Sequence, residues 1–235
     1  MTACSPATVA DELLGPVRTP ADRPFVLLKY AQTLDGRIAA TGGDSKWISS
    51  DAERCVTHAL RARCDAIMVG IGTVLSDDPL LTVRMVPGPS PRRVVLDSRL
   101  RTPPDAALLD GDPGTIVLTS ASDGATHLER PGVEVHRVAA GPDGIDLPGA
   151  LRDLRAAGVR SVLVEGGAKV LTAMLAAGVV DRVVVAVAPR ILGSGVEAVG
   201  DLGHRRIADG IALRRMCVRT VGDDLLIGAD VEPAG

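Results

Sequence analysis

The sequence predicts an α/β protein of three layers, with a mixed but mostly parallel central sheet and antiparallel strands at its C-terminus. Three features of the 235-residue chain support this class. Short runs rich in Val, Ile and Leu alternate with segments of helical periodicity, as in strand–helix–strand units. Most of these runs end in polar or Gly-rich stretches. A Gly-Asp-Asp sequence at 222–224 separates the last two apolar runs, as in a β-hairpin.

The N-terminal part of the chain divides at about residue 23. Residues 1–23 contain Pro16 and Pro20 without clear periodicity, which predicts a mobile arm or a short helix followed by a linker. Residues 24–235 form the predicted main domain. Its first strand, Phe25 to Gln32, is mostly apolar but contains Lys29. A lysine on a buried strand requires an acidic partner or a ligand, unless it lies at the rim of the sheet with its ammonium in water.

A polar segment and a helix follow the first strand. Asp35-Gly36 indicates a turn, and residues 41–50 form a Gly-rich loop that holds the only Trp. Ser50 or Asp51 is a suitable N-cap for a helix that extends to about Arg63, with Glu53 in the third position after Ser50 as in a capping box. His58 and Arg61 share one face of this helix, where a solvated arginine is the alternative to a binding role.

The remaining elements alternate along the chain. Asp65 to Gly70 is the second buried strand and enters a short helix through Gly72 and Thr73, which ends at Asp77-Asp78-Pro79. The Asp pair suits capping as well as binding. Short strands are predicted at 93–98, 115–120, 133–138, 159–164 and 182–189, helices at 149–157 and 168–177, a Gly-rich loop at 190–203, and a final hairpin.

Polar residues at several strand ends indicate a binding site. Glu165, Gly166 and Gly167 follow the strand at 159–164, and the next helix begins directly after them. This sequence suits either a plain tight turn or a loop in which the backbone approaches an anionic ligand. Similar ends occur at Lys29 to Asp35, Gly70 to Asp77 and Asp97-Ser98. Since open α/β sheets bind ligands beyond the carboxyl ends of their strands, four such ends favour a site.

Composition excludes several classes of function. Hydrophobic residues make up 46% and charged residues 23% of the chain, as in a globular protein. A net charge of −3 and only three aromatic residues argue against nucleic acid or an anionic membrane surface as the partner. The four cysteines and four histidines lack the spacing of a metal site. We find no signal peptide and no 18-residue apolar span, so we expect a cytoplasmic protein.

Five motifs in order resemble the reductase domain of bacterial riboflavin-biosynthesis deaminase/reductases. They are LKYAQTLDGRIA, SKWISS, LRARCDAIMVGIGTVLSDDPLLTVR, VLVEGGAKVLTAML and VAPRILG, and the similarity covers roughly residues 25 to 230. The resemblance implies a dihydrofolate-reductase-like fold and NADPH-dependent reduction of the ribose of 5-amino-6-(5-phosphoribosylamino)uracil to the ribityl chain. The HxE and PCxxC signature of the family's zinc deaminase is missing, so we expect a stand-alone reductase with a separate deaminase.

The resemblance also implies the residues of the site. Lys29 matches the family's strand lysine near the reacting sugar, and Glu165 is expected to orient the substrate; these two are the candidate catalytic residues. The substrate-binding positions correspond to Ser45, Arg61, Leu81, Arg84 and Glu165, and the two arginines suit the substrate's phosphate. The cofactor-binding positions correspond to Ala31, Trp47, Thr73, Asp77, Ser98, Gly167, Ala168, Lys169, Val170 and Leu171, within a segment that extends to Ala173.

Two other functions fit the same motifs. A paralogue would reduce another pterin-, flavin- or pyrimidine-like compound, such as dihydrofolate or a secondary-metabolite precursor. A non-catalytic nucleotide-binding protein would bind the cofactor without turnover. The preference for NADPH over NADH comes from the resemblance alone, since the sequence contains no isolated basic motif that indicates binding of the 2′-phosphate of NADPH. Family members usually dimerise, and the apolar C-terminal strands are the expected homodimer interface.

Overall fold

One large sheet organises the protein. The computed structural model describes residues 5–46, 48–142 and 144–232. Within these residues, nine strands form the main sheet in the order β10-β11-β8-β1-β7-β3-β4-β5-β6, and β2 and β9 form a separate small sheet. The strands are β1 Phe25–Thr33, β2 Arg37–Ala40, β3 Ala66–Gly70, β4 Arg92–Leu96, β5 Thr115–Thr119, β6 Val133–Arg137, β7 Ser161–Val164, β8 Arg182–Ala188, β9 Gly195–Glu197, β10 Leu213–Val221 and β11 Asp224–Val231.

The strand directions confirm the predicted fold class. From β8 to β6 every neighbouring pair of strands is parallel, whereas β11 runs antiparallel to both β8 and β10. The predicted hairpin lies between β10 and β11, where Gly222 has a φ of 59°, as the first central residue of a type II′ turn requires. The sheet is therefore mostly parallel with a C-terminal antiparallel pair.

Helices cover both faces of the sheet. They are α1 Pro6–Leu14, α2 Asp51–Arg61, α3 Ile71–Asp77, α4 Leu147–Ala156 and α5 Ala168–Ala176. Because strand residues alternate between faces, Val26 and Leu28 of β1 pack with α4 and α5, whereas Phe25 and Leu27 pack with α1 and α2. Lys29 follows the second alternation and therefore points to the α2 side. This placement puts a lysine inside the apolar layer between helix and sheet.

The N-terminal segment contains the short helix that was one of its two predicted forms. Ser5 caps α1 with its hydroxyl, and Pro6 occupies the first turn. Leu13 is completely buried, and its carbonyl accepts a hydrogen bond of 2.6 Å from Nε of Arg182. A Cβ at Gly228 of β11 would lie 2.5 Å from the Leu13 carbonyl oxygen, so the helix rests directly on the strand. The helix of this segment is thus packed against the core.

The small sheet is the feature that the sequence prediction missed. We expected a loop for the segment that forms β9, and the sequence predicted no element for the residues of β2, which follow the turn at Asp35-Gly36. The two strands pair because Asp35, in the predicted turn with Gly36, accepts hydrogen bonds from the amides of Leu192 and Gly193. These contacts hold the 190–193 segment against the end of β1 and lower the pKa of Asp35 to about 2, with the Thr33 hydroxyl as the largest contributor. The small sheet thereby borders the carboxyl end of β1.

Docking of α1 predicts a stability effect. Leu13→Ala should lower the free energy of unfolding by about 2–5 kcal/mol, since it removes buried methyl groups and leaves a cavity. Val17→Ala is the control, because Val17 is 42% exposed and its truncation should change stability by less than about 0.5 kcal/mol. Urea unfolding at pH 7 measures both. Equal stability of L13A and the wild type would mean that α1 is detached from the sheet in solution.

Candidate active site

The predicted strand ends lie side by side in the structure. In the sheet, β1, β7, β3 and β4 are consecutive and parallel, so their carboxyl ends form one continuous edge. Along this edge follow Lys29 within β1, Glu165 after β7, Gly70 at the end of β3 and Asp97 after β4. The sequence prediction that these segments converge is confirmed. Of the positions expected from the resemblance, Lys29 and Ala31 lie on β1, Glu165 follows β7 and Ser98 follows β4.

Lys29 has an acidic partner that the sequence prediction did not identify. Its Nζ lies 2.9 Å from Oε1 of Glu53 on α2, and the side chains are 9% and 1% exposed. The same carboxylate accepts hydrogen bonds from the hydroxyls of Thr57 at 2.6 Å and Ser49 at 2.7 Å. Burial raises the pKa of Glu53, but the charge of Lys29 and these hydrogen bonds bring the pKa below its usual value. Glu53 is therefore a carboxylate, and Lys29 is not a rim lysine.

The predicted capping box is only half formed, which explains why Glu53 was missed. The Ser50 hydroxyl accepts from the Glu53 amide at 3.3 Å, as predicted. The return bond is absent because the Ser50 amide donates to the carboxylate of Asp224 at 2.7 Å instead. The Glu53 side chain is thereby free to enter the core. The sequence feature that could have identified Glu53 is Lys29, because a buried lysine requires an acidic partner and the helix that covers β1 could supply it.

Arg61 and Glu165 form the second ion pair of the site. Nε and Nη2 of Arg61 donate to the two carboxylate oxygens of Glu165 at 2.9 and 2.7 Å, and Nη1 donates to the Thr82 carbonyl at 3.1 Å. Burial raises the pKa of Glu165, but the charge and hydrogen bonds of Arg61 outweigh it, so the pKa is below its usual value. The fork of Arg61 is therefore occupied by Glu165. The bidentate grip on a phosphate that we expected of Arg61 requires this pair to open.

Arg84 and His58 complete the charged region around Arg61. The Arg84 guanidinium is exposed and donates to the Thr82 hydroxyl at 2.8 Å, so both arginines converge on one residue. The Arg84 amide donates to Nδ1 of buried His58 at 3.0 Å. Burial and the charges of Arg61 and Arg84 lower the pKa of His58 to about 4. His58 is consequently neutral at pH 7 and acts as a hydrogen-bond acceptor.

The two ion pairs influence one another electrostatically. The charge of Lys29 contributes to the low pKa of Glu165, and the charge of Glu53 contributes to the raised pKa of Arg61, whose burial acts in the opposite direction. Two cations and two anions thus form one group between α2 and the ends of β1 and β7. We define Lys29, Glu53, Arg61 and Glu165 as the charge cluster.

The backbone beside the charge cluster fits the phosphates of a dinucleotide. Gly167 is the N-cap of α5, and the described residues supply no side-chain hydrogen bond at this cap. A Cβ at Gly167 would meet open space, whereas one at Gly70 or Gly166 would lie 2.6 Å from Val170. The latter two glycines therefore let the first turn of α5 sit close to β3. In this turn the Val170 amide already donates to the Gly167 carbonyl at 2.9 Å, so the amides that precede it are the ones available to an anion such as a pyrophosphate.

The other expected cofactor positions differ in accessibility. Thr73 and Ser98 are half-buried in the first turn of α3 and directly after β4, and Asp77 is exposed at the end of α3. Ala31 is half-buried on β1. Ala168 is half-buried and Lys169 exposed at the start of α5, and Val170 packs against Gly70 and Gly166. Leu171 is fully buried in the apolar core, so only its backbone is available to a cofactor. Trp47 lies outside the described residues.

Two expected substrate positions do not belong to the charge cluster. Ser45 is exposed next to an open cavity of about 540 Å³ that is lined by Thr33, Asp44, Lys46 and Arg190, among others. The cavity includes none of the four charges of the cluster but borders the same strand, β1. Leu81 is 2% exposed and has a φ of 55°, so its side chain belongs to the core. A contact between Leu81 and a substrate would involve its backbone.

The described ranges contain neither a candidate metal site nor a helix that could span a membrane. Among residues 5–46, 48–142 and 144–232, no group of three or more His, Cys, Asp or Glu side chains is placed to hold a metal ion. Within the same part of the chain, every helix is too short or too polar to cross a bilayer.

The low pKa of His58 predicts acid-dependent stability. Unfolded, His58 titrates near 6.5, and folded near 4, so the unfolded chain binds more protons between these values. Lowering the pH through this window should therefore reduce the free energy of unfolding, by up to about 3 kcal/mol from this residue. His58→Asn should flatten the dependence, whereas replacement of the exposed His204 by Asn should preserve it. Urea unfolding from pH 7 to pH 4 measures the slopes, and identical slopes for H58N and the wild type would contradict the assignment.

Comparison with known proteins agrees with this geometry. The chain is 41% identical over 209 residues to the riboflavin biosynthesis protein RibD of Aquifex aeolicus, covering 88% of this chain but 57% of that protein. It is 41% identical over 211 residues to the 2,5-diamino-6-ribosylamino-4(3H)-pyrimidinone 5′-phosphate reductase of Methanothermobacter thermautotrophicus, covering 87% of this chain and 97% of that protein.

The chain is also similar to a solved structure of a deaminase/reductase. The Thermotoga maritima diaminohydroxyphosphoribosylaminopyrimidine deaminase/5-amino-6-(5-phosphoribosylamino)uracil reductase superimposes with a TM-score of 0.73 at 32% identity, over 90% of this chain and 57% of that chain. This chain thus spans little more than half of the two longer relatives. The dihydrofolate-reductase-like arrangement that the resemblance implied is confirmed. The sequence profile of the RibD C-terminal domain matches residues 24–227, and the chain belongs to this family.

Proposed function

We propose that the protein is an NADPH-dependent reductase of riboflavin biosynthesis. It converts the ribose of 5-amino-6-(5-phosphoribosylamino)uracil to the ribityl chain. The observation that carries this proposal is the charge cluster, which lies at the sheet edge directly beside the uncapped start of α5. The name of the Methanothermobacter relative supports a reductase that acts on a phosphorylated ribosylaminopyrimidine.

The reaction adds one hydride and one proton to the sugar. The bond between C1′ and the ring oxygen breaks, the oxygen takes a proton, and the amino nitrogen forms a double bond to C1′. A hydride then adds to C1′, and the electrons of the double bond return to nitrogen as an amine. NADPH, when bound, supplies this hydride. The protein must therefore hold the sugar, provide a proton at the ring oxygen and exclude water.

Lys29 is suited to the proton step. It is a cation held at 2.9 Å from Glu53 in an apolar layer, so its ammonium has a fixed position and few competing waters. An ammonium near the opening ring would donate to the oxygen as the bond breaks. Glu165, on the same side of the sheet, would orient hydroxyl or amino groups of the substrate through lone pairs that Arg61 leaves free.

The phosphate and the cofactor would bind to opposite sides of Glu165. Arg84 has an exposed guanidinium suited to a phosphate monoester, with Arg61 adding a donor behind it. The amides at the start of α5 would receive the pyrophosphate, and Thr73, Asp77 and Ser98 continue the same edge towards β4. The specificity for NADPH over NADH remains a prediction.

An assay with pure protein tests the proposed function. We expect NADPH oxidation at 340 nm with the deaminated phosphoribosylamino substrate and formation of the ribityl product, with slower oxidation of NADH. Dihydrofolate serves as the control substrate and should give no turnover. A folded protein that binds NADPH but reduces none of the phosphoribosylamino substrate would contradict the proposal.

The role of Arg84 can be tested in the same assay. Arg84→Ala should raise KM for the phosphorylated substrate by about 10- to 100-fold, since it removes charge-assisted hydrogen bonds, while KM for NADPH changes less than about twofold. Arg92→Ala is the matched control, because Arg92 pairs with Glu134 at the amino end of β4, on the opposite edge of the sheet. Equal KM values for R84A and R92A would place the phosphate elsewhere.

A homodimer through β10 is the second part of the proposal. Along the described sheet, β10 pairs only with β11, so one side of its backbone is an edge, and Met216 and Val218 are 59% and 45% exposed. An unpaired strand edge with exposed apolar side chains favours pairing with another chain, although β10 also carries arginines. Val218→Lys should therefore convert a dimer to a monomer in analytical ultracentrifugation, whereas Val17→Lys, at an exposed position near α1, should leave the dimer intact. A monomeric wild-type protein would overturn this part.

The cellular setting expected from the sequence is also part of the proposal. A cytoplasmic location suits an enzyme of a cofactor pathway, and the deaminated substrate requires a deaminase that acts before it.

A further inference from the structure

We propose that Glu53 is a positioning residue of the reductase: its carboxylate holds Lys29 charged and aimed at the reacting sugar. The inference rests on the proposed function for the reaction, but the contact between Glu53 and Lys29 stands independently of it. None of the positions implied by the family resemblance is Glu53. The structure alone connects this helix residue with the strand lysine.

The geometry of the pair fixes the position of Lys29. Glu53 lies in the first turn of α2, and Lys29 lies five residues into β1, so the pair joins helix and sheet across the apolar layer. The distance of 2.9 Å and exposures of 9% and 1% describe a buried, direct ion pair. Thr57 and Ser49 fill further lone pairs of the carboxylate. With these contacts the carboxylate has little freedom to rotate, and it limits the positions open to Nζ of Lys29.

The buried ammonium of Lys29 also requires a counter-charge, because a charged group in an apolar layer is costly without an anion at contact distance. Glu53 supplies that anion from α2, and Glu165 faces the lysine from the end of β7. Glu165 is already neutralised by Arg61, and His58 on α2 is neutral. Glu53 is therefore the main counter-charge of Lys29 within the described residues.

Attachment of α2 to the sheet does not by itself account for the two charges. The hydrophobic contacts of α2 with the sheet, through Val56, Ala59 and Leu60, already attach the helix. Replacing a buried ion pair by apolar residues is often neutral or stabilising, so stability alone gives little reason for these charges. A charged lysine at the carboxyl edge of the sheet, beside Glu165, is useful where a proton must be delivered.

Lysine NMR tests the contact without turnover. The chain contains only three lysines, Lys29, Lys46 and Lys169, so ¹³C-labelled lysine gives three side-chain signals, and Lys29→Arg assigns one. In Glu53→Gln the Lys29 ammonium should lose its proton at a pH lower by at least about one unit than in the wild type. Glu53→Asp, which keeps the charge, should restore most of the difference. An unchanged titration in E53Q would overturn the proposal.

Kinetics tests the consequence for the reaction. In E53Q the alkaline limb of kcat should move to lower pH in parallel with the Lys29 signal, with kcat at pH 8 reduced at least about tenfold and KM for NADPH unchanged within about twofold. E53D should recover the position of the limb. The positioning role would also be overturned if the titration of the Lys29 signal moved to lower pH while the alkaline limb of the kcat pH profile did not.

Asp181→Asn is the matched control. Asp181 accepts two hydrogen bonds from Arg23 and one from the Val26 amide, so it anchors the same strand, β1, at the opposite edge of the sheet. This variant should lose stability but keep the wild-type kcat limb and Lys29 titration. If D181N shifts both as E53Q does, the effect is general loosening of β1 and the proposal fails. A wild-type protein without turnover overturns the proposed function and the catalytic role, whereas the titration still decides whether Glu53 holds Lys29.

Discussion

The ion pair between Lys29 and Glu53 determines how α2 meets the sheet. An ammonium within an apolar layer is tolerable only with an anion at contact distance, and the anion must come from the element that covers it. This requirement sets the rotation and the height of α2 over β1. The same rotation points Arg61, two turns further along, at Glu165, and His58 on the same helix is buried. The two ion pairs thus add directional contacts to the apolar packing of α2.

Two glycines, Gly70 and Gly166, determine how closely α5 approaches the sheet on the side of Glu165 opposite to α2. Val170 sits where side chains at Gly70 and Gly166 would otherwise be, so α5 begins close to β3 with its amides exposed. Glu165 lies between these two arrangements. The carboxyl edge of four adjacent strands thus presents fixed charges on one side and backbone donors on the other, which suits a reaction between a phosphorylated sugar and a dinucleotide.

Local pattern was sufficient for most of the fold. β-Branched runs, the cap at Ser50 and the turn at Gly222 located elements to within a few residues, because each depends on neighbours in the sequence. The strand β2 escaped prediction because it depends on Asp35 binding amides about 157 residues away. Docking of α1 depends on a missing Cβ at Gly228, far along the chain. Contacts between residues so far apart produce no periodic pattern in the sequence.

The site was predictable in its location but less so in its internal pairing. Lys29 implied an acid, yet the candidates Glu53 and Glu165 are 24 and 136 positions away, and only the fold decides between them. Likewise, Arg61 was expected to be free for a phosphate, and its use by Glu165 depends on which strand lies beneath α2. Pairing between elements is a tertiary property, so residue types indicate chemistry without assigning partners.

The composition of the charge cluster has a consequence for encounter with the substrate. Its two positive and two negative charges cancel, so beyond a few ångströms it produces almost no field. The whole protein carries a net charge of −3, which gives no general attraction for a phosphate either. Capture of an anionic molecule therefore depends on short-range contact with surface cations such as Arg84, and salt screens exposed charges of that kind. The protein recognises its ligand after collision and does not draw it in from a distance.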